Sequence, residues 1–468
     1  MPSAIPSPAP WVRRQLTRRS MEMSSLEGVL AMPLVYICLP GNLVLAALLS
    51  RGLGLPPDSY GWIVSLPYWC NCAQLALMPF IMRRFSARQV FLFLLWVNSA
   101  CWLAFAAVLW LKGAWVKENA VSVAGWFVFG GSITVAVAGV AWTMWIHSWV
   151  PPRIRGIFFS KRNRLCQLSN FVFLLAAGWL LADPTPAAFA VVIGGAALVR
   201  CASAVASHAA PAQGDPPTPT TSSFAEQWRT LRAARSFRQS VVFSAAWGFV
   251  LNGFGAFQPV FMLQSINDSP RSASLPLALS LLFGALALPA WGRLIDRHGA
   301  RPVLMCAVGF WAVAGLPWIF VTRESSWLLY VAWALAGTAN AGIALGQLNL
   351  LMKLVPAGAK SLAVGLNTAA AALGMAVAPI LAGKLLTWAL GHPEWPADAV
   401  FHGFFLTLPL FATGAVLFLR RVQEPRAAPV EHVVGALRNF RVLAATLGLG
   451  FLAQTLFTPR GEGRKSEY

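Results

Sequence analysis

Charge is what this sequence has least of. Asp, Glu, Lys and Arg make up 11% of its 468 residues, against about 25% in soluble domains, which excludes an ordinary soluble protein. Acidic residues are fewest, 16 against 36 Lys and Arg, and they fall at the edges of apolar runs, in the loops or in the tails. No acidic cluster, no His pair at ligand spacing and no nucleophile beside a base is found. That excludes a recognisable enzyme site and leaves no reason to expect a metal or cofactor. The seven Cys (Cys38, Cys70, Cys72, Cys101, Cys166, Cys201, Cys306) lie almost entirely within apolar runs. They read as small apolar filler, not as a disulfide framework or a metal site. Strand-like alternation is missing too. The N-terminal arm has no apolar core followed by a small-residue cleavage site, so no cleaved signal peptide is expected.

What is abundant is apolar: 57% of residues are hydrophobic and the mean hydropathy is +0.62. Intrinsic disorder of most of the chain is thereby excluded. About 20 mostly apolar residues cross a bilayer as a helix. Twelve such runs can be read: Leu30–Leu49, Tyr60–Met82, Val90–Leu111, Val121–Trp149, Leu165–Leu181 and Ala187–Val205, then Ser240–Leu263, Leu275–Trp291, Val303–Val321, Trp327–Met352, Leu362–Trp388 and Val400–Leu419. The expected fold is an all-α integral membrane protein with twelve transmembrane helices in two pseudo-symmetric six-helix bundles. Its expected parts are a cytoplasmic arm (1–27), an N-terminal bundle (28–205), a cytoplasmic linker with a basic helix (206–239), a C-terminal bundle (240–422) and a cytoplasmic tail (423–468). Val442–Phe457 is apolar but short, and is expected to lie along the cytoplasmic face; a thirteenth span is the alternative.

Charge tests this topology independently. With the N-terminus inside, the inner arm and loops hold 22 Lys and Arg and the outer loops six. That bias is the positive-inside signature of a cell (inner) membrane protein with both termini cytoplasmic. The net charge of +20 is therefore a mark of orientation and not of nucleic-acid binding. Arg229, Arg232, Arg235 and Arg238 recur every third residue, which suits a helical face against anionic lipid headgroups or a solvated loop.

The two halves repeat. Arg84, Ala87, Arg88 and Val90 match Arg297, Ala300, Arg301 and Val303 without gaps at an offset of 213, and Val150-Pro151 matches Val355-Pro356 at 205. Internal repeats of this kind are a transporter signature. The stretch Gly292-Arg293-Leu294-Ile295-Asp296-Arg297-His298-Gly299-Ala300-Arg301 resembles the loop motif of the major facilitator superfamily. Ala300 replaces the usual first basic residue, and the copy at Pro79–Phe91 is degenerate, with Arg83 in place of Asp. Leu26-Glu27-Gly28, Trp142, Trp145, Val150-Pro151, Arg155-Gly156, Phe158-Phe159 and Arg162-Asn163 resemble a bacterial subgroup of that superfamily. The resemblance implies alternating access, with Gly292, Asp296, Arg297, Gly299, Arg301, Arg84, Arg88, Arg155 and Gly156 as gating loops. Asp296 is expected to accept hydrogen bonds from a neighbouring helix N-terminus and to pair with an Arg; a plain solvated turn is the alternative.

The resemblance also implies that spans one, four, seven and ten line a cavity. Their mid-depth polar residues are Asn42, Ser132 with Thr134, Asn252 and Asn340. Trp333, Asn340 and Gln347 share one helical face at spacings of seven, and Asn71 and Gln74 share another. A cavity of amides, Thr134 and Trp333 suits hydroxyl-bearing solutes, because amides both donate and accept. The competing reading is that these residues join helices. His147 and His402 sit near span ends, where an ordinary interfacial role competes with titration.

The expected activity is transport of a small polar solute, sugar- or glycoside-like, by a monomer bearing no cofactor, with anionic lipid at its cytoplasmic face. The alternatives are efflux of hydrophobic compounds and a non-transporting membrane sensor.

Overall fold

A computed structural model describes residues 10–449 apart from 151, 210–223, 267, 357–358, 426 and 448. The described chain is helical, and no strand occurs in it. Hydrocarbon offers backbone groups no hydrogen-bond partner, so each crossing segment must satisfy its own. The helices are α1 (Pro10–Cys38), α2 (Leu43–Ala47), α3 (Pro57–Ile81), α4 (Ala87–Leu111), α5 (Gly113–Glu118), α6 (Ala120–Trp149), α7 (Pro152–Leu180), α8 (Pro186–His208), α9 (Phe224–Ala233) and α10 (Arg235–Gly255). There follow α11 (Gln258–Gln264), α12 (Pro270–His298), α13 (Ala300–Ala314), α14 (Leu328–Leu354), α15 (Lys360–Leu390), α16 (Ala397–Leu406), α17 (Leu408–Arg420), α18 (Val430–Leu437) and α19 (Phe440–Thr446).

Among the described residues, ten helical segments are long and apolar enough to cross a membrane. Two more, α3 and α7, are 25 and 29 residues long but less apolar. The first crossing segment runs over Arg18–Gly52, with α1 starting at Pro10. Glu27 therefore lies inside a helix and not ahead of one. Local chemistry sets the ends. Ser86 and Gln89 cap α4 reciprocally, and Thr185 caps α8 with Pro186 at its first position, as the orphan N–H groups of a helix start require. The chain breaks at Pro40-Gly41, where Gly41 has φ +67°, and α2 restarts behind Asn42. The basic linker segment is two helices: Arg229 and Arg232 lie on α9, Arg235 and Arg238 on α10, and all four are exposed. Residues 450–468, with most of the apolar tail segment, lie outside the described residues.

Contacts divide the chain into two compact units. One comprises α1–α8 with Leu251–Ser274 and Ala372–Glu394. Its core joins Met78, Phe91, Leu95, Ala141, Trp145 and Ala204, from α3, α4, α6 and α8. The other comprises α9 with α10 to Val250, Leu275–Ala371, and the chain from Trp395 on. There Leu231 and Phe237 pack against Leu351, Ala359 and Ala363, and Trp247 meets Trp311 edge-on at 4.9 Å. The sequence boundaries at 206 and 240 follow the repeat, whereas the packing hands parts of α10 and α15 to the first unit. Trp62, Trp115, Trp327 and Trp395 are exposed, as side chains facing lipid or its interface are.

In the second unit α12 and α14 touch through glycine. A Cβ on Gly337 would stand 2.1 Å from the Ser280 carbonyl oxygen, a backbone atom that cannot swing aside. Gly337→Val should therefore destabilise the protein by about 1–3 kcal/mol, as overpacking does. Gly309→Ala, which meets nothing within 4 Å, should leave the melting temperature in detergent unchanged.

Candidate functional site

A cavity of about 450 Å³ opens between the end of α1, the middle of α3 and the second half of α6. Residues 132, 136, 139 and 143 recur along one face of α6, and Asn71 and Gln74 lie one turn apart on α3. The break at Pro40 brings Cys38 and Leu39 to the rim. Gln74 is 6% exposed and Ser132 4% exposed. Gln74 Oε1 and Ser132 Oγ are buried without a hydrogen-bond partner. Native interiors seldom leave such groups unpaired. The remaining wall is mostly apolar: Val35, Pro67, Val135, Val140 and Met144.

The structure brings Asn71 and Gln74 together here, with Ser132 opposite, and sends the other expected cavity residues elsewhere. Asn42 donates to the Ile37 and Leu39 carbonyls and accepts from Leu45 N at 2.9 Å. It caps α2. Thr134 donates to the Gly130 and Gly131 carbonyls and accepts from Asn98 Nδ2 at 2.9 Å. It joins α6 to α4. In the second unit Trp333 meets Trp318 edge-on at 5.8 Å. Asn340 and Gln347 are half-buried on the same helix. His402 bonds the Val321 carbonyl oxygen at 2.8 Å, and the His147 side chain lies outside the described residues.

Asn252 serves a latch within the first unit. Its Nδ2 donates to the Met375 carbonyl at 2.7 Å, and its Oδ1 accepts from Tyr68 OH at 3.2 Å. Tyr60 OH donates to the Ala256 carbonyl at 2.7 Å. A Cβ on Gly61 would fall 2.1 Å from the Pro379 carbonyl oxygen, and one on Gly383 2.4 Å from that of Pro57. Asp58 N donates to Thr387 Oγ1 at 2.9 Å, and Arg51 donates to the Leu263 carbonyl. Beside it, burial pushes the Asp268 carboxyl up, against the Ser272 hydroxyl and Arg51, which lower it. The first half of α3 and the segment before it are thus tied to α11, to the end of α10 and to the second half of α15.

A buried charge cluster lies at the other end of α1. Glu27 Oε2 accepts from Arg162 Nη2 at 2.9 Å, and Glu27 Oε1 stands 3.6 Å from Arg200 Nη1. All three side chains are at most 10% exposed. Arg162 Nε also donates to the Ser24 carbonyl at 3.1 Å, and its guanidinium lies 4.4 Å from the Trp142 ring. Ser203 Oγ donates to the Glu27 carbonyl at 3.1 Å. A Cβ on Gly28 would meet the Arg162 guanidinium at 2.6 Å. Four helices, α1, α6, α7 and α8, are thereby fixed by one carboxylate. Hydropathy did not reveal this cluster; the Leu26-Glu27-Gly28, Trp142 and Arg162 resemblance was its only signal.

Known proteins resemble this chain in sequence and in fold. The model of the Major Facilitator Superfamily matches residues 253–459. The nucleoside transporter NupG superposes with a TM-score of 0.68 at 14% identity, covering 87% of this chain and 100% of that one. The second half of the chain is thus similar to the major facilitator superfamily, and the chain shares its fold with transporters of known structure. Its ten long apolar helices mark a multi-pass membrane protein. Among curated relatives, the class C tetracycline resistance protein of Escherichia coli is 31% identical over 211 residues, 43% of this chain and 52% of that protein. The sphingosine-1-phosphate transporter SPNS2 of Danio rerio is 25% identical over 198 residues, 42% of this chain and 38% of that protein. The chain spans about half or less of the length of these relatives.

The superfamily loop motif takes an unexpected form here. Gly299 has φ +96° and precedes α13. The acceptor at the α13 N-terminus is Glu424, not Asp296: Ala300 N and Arg301 N donate to its two oxygens at 3.0 and 2.6 Å, and Lys353 pairs with it at 2.7 Å. Arg301 turns to the end of α17 and donates to the Leu419 and Arg420 carbonyls. Asp296 and Arg297 are exposed, and Gly292 lies 3.7 Å from Leu345 by its would-be Cβ. In the first unit Arg84 is exposed, while Arg88 donates to the His208 carbonyl at 3.2 Å. The side chains of Arg155 and Gly156, at the start of α7, lie outside the described residues.

Removing one member of a buried ion cluster leaves uncompensated charge. Glu27→Leu should cost about 3–5 kcal/mol, because two buried guanidinium groups lose their carboxylate. Arg162→Met should cost less, since Glu27 keeps Arg200. Thermal melts in detergent check the order.

Proposed function

We propose that this protein is a secondary transporter that moves a small polar solute, sugar- or glycoside-like, by alternating access. In this reading α3 and α7 cross the bilayer with the ten more apolar segments. Their lower hydropathy reflects the polar cavity face of α3 and the cations opening α7. Twelve crossings put both termini on one side, and the positive loops make that side cytoplasmic. The end latched by Tyr60, Tyr68 and Asn252 is then the outer one, and it must part for solute to pass.

The observation that carries the reading is the cavity holding Gln74 Oε1 and Ser132 Oγ unpaired. A buried polar atom without a partner costs about 1–3 kcal/mol, and a hydroxyl-bearing solute offsets that cost on binding. Likeness to a nucleoside transporter supports a solute carrying a sugar ring. No carboxylate lines the cavity, and Glu27 is held by two Arg side chains. This favours facilitated movement, or coupling through the solute itself. Efflux of hydrophobic compounds is the second reading. It draws on the apolar remainder of the wall and on the tetracycline resistance relative.

Uptake of radiolabelled sugars, glycosides and nucleosides into proteoliposomes tests the proposal. Gln74→Leu and Ser132→Ala should each raise KM by about tenfold, the equivalent of one hydrogen bond to the solute. Unchanged flux in both variants overturns the cavity assignment. Drug resistance on overexpression without polar-solute uptake selects the second reading.

A further inference from the structure

The helix pair joined internally by Glu27 and Arg162 also forms a groove of about 590 Å³ on its outer surface. Arg18 and Glu22 of α1 and Lys161 of α7 stand at one end, while Leu26 and Val29 of α1 and Leu165 of α7 continue it. Met21 and Phe158 also line the charged end, and on both helices leucine follows the charge by one turn or more. The groove is therefore amphipathic along its length, about 16 Å from Arg18 to Val29 at 1.5 Å per residue. Arg18 marks the start of the first apolar span. Leu26, Leu165 and the neighbouring Leu168 are 44%, 38% and 60% exposed, the exposure expected of side chains facing lipid. Arg18 pairs with Glu22 at 3.1 Å, so the cation of Lys161 is in surplus, with exposed Arg19 and Arg164 beside it.

We propose that this groove binds an anionic phospholipid, with its phosphate between Arg18 and Lys161 and one acyl chain along Leu26, Val29 and Leu165. Basic pockets between membrane helices recognise such headgroups. A free phosphate would meet the cations but leave the apolar length of the groove unfilled. A zwitterionic lipid brings its own ammonium, which opposes the surplus charge. The bound lipid braces α1 against α7 from outside, as the ion pair does from inside.

Native mass spectrometry and thermal melts of the purified full-length protein in detergent test this, with phosphatidylglycerol, phosphatidylcholine and inorganic phosphate as probes. Phosphatidylglycerol should be retained and should raise the melting temperature. Arg18→Gln and Lys161→Gln should each weaken its binding about fivefold, the contribution of one cation near a membrane surface. Arg323→Gln, at an exposed position ahead of α14, should leave it unchanged. Both tested side chains lie on the surface, and melts without added lipid check that the variants fold. Equal retention of phosphatidylcholine overturns the proposal, as does wild-type binding by the Arg18→Gln/Lys161→Gln double variant. Stabilisation by inorganic phosphate as large as that by phosphatidylglycerol would make the groove an ion site and overturn the lipid assignment.

Discussion

A polar group removed from water into hydrocarbon or packed protein must find a partner, and almost every feature of this molecule follows from that demand. The backbone meets it by forming helices. Side chains meet it by turning inward: Asn42 onto the carbonyls left open where α1 stops, Thr134 onto Asn98 and its own helix, Glu424 onto the start of α13. Once these are accounted for, the few groups that remain unpaired become informative. Gln74 and Ser132 hold such groups, and both residues line the cavity.

The demand is strictest for charge. Three ionised side chains are kept in the first unit beside Trp142, and one carboxylate serves two guanidinium groups. Such clusters are weak evidence for stability, because apolar replacements of similar volume can do as well. What they supply is geometry. The Glu27 cluster fixes how α1, α6, α7 and α8 meet at one end, and the Asn252 latch ties α3, α10 and α15 at the other. The cavity is lined by α1 and α6 from the first set and by α3 from the second. The proposed transport would draw on this combination: parts rigid enough to present a solute site, joined by contacts that can be exchanged.

The all-helical, multi-pass character was legible in the sequence, because run length is a coarse property that survives any packing. The site was legible only in part. Asn71 and Gln74 share a face of α3, and that face meets the cavity. Asn42, Thr134 and Asn252 lie at comparable depth but turn onto backbone or neighbouring helices, and depth alone cannot separate the two outcomes. Asp296 fits a motif, yet the structure gives its expected role to Glu424, 128 residues further on. No local pattern links those positions. Glu27 was placed before the first span because the arm around it is polar. The helix extends through that arm, and Arg162 and Arg200 make the burial tolerable.

Gly28 shows how closely shape and charge are joined here. Beside it the Arg162 guanidinium is held on four sides, by Ser24, Glu27, the Trp142 ring and the glycine itself. A single methyl group added at residue 28 would occupy the space of the cation. The guanidinium could yield only by giving up its carboxylate. At this position an apolar change of the smallest size acts as a change of charge.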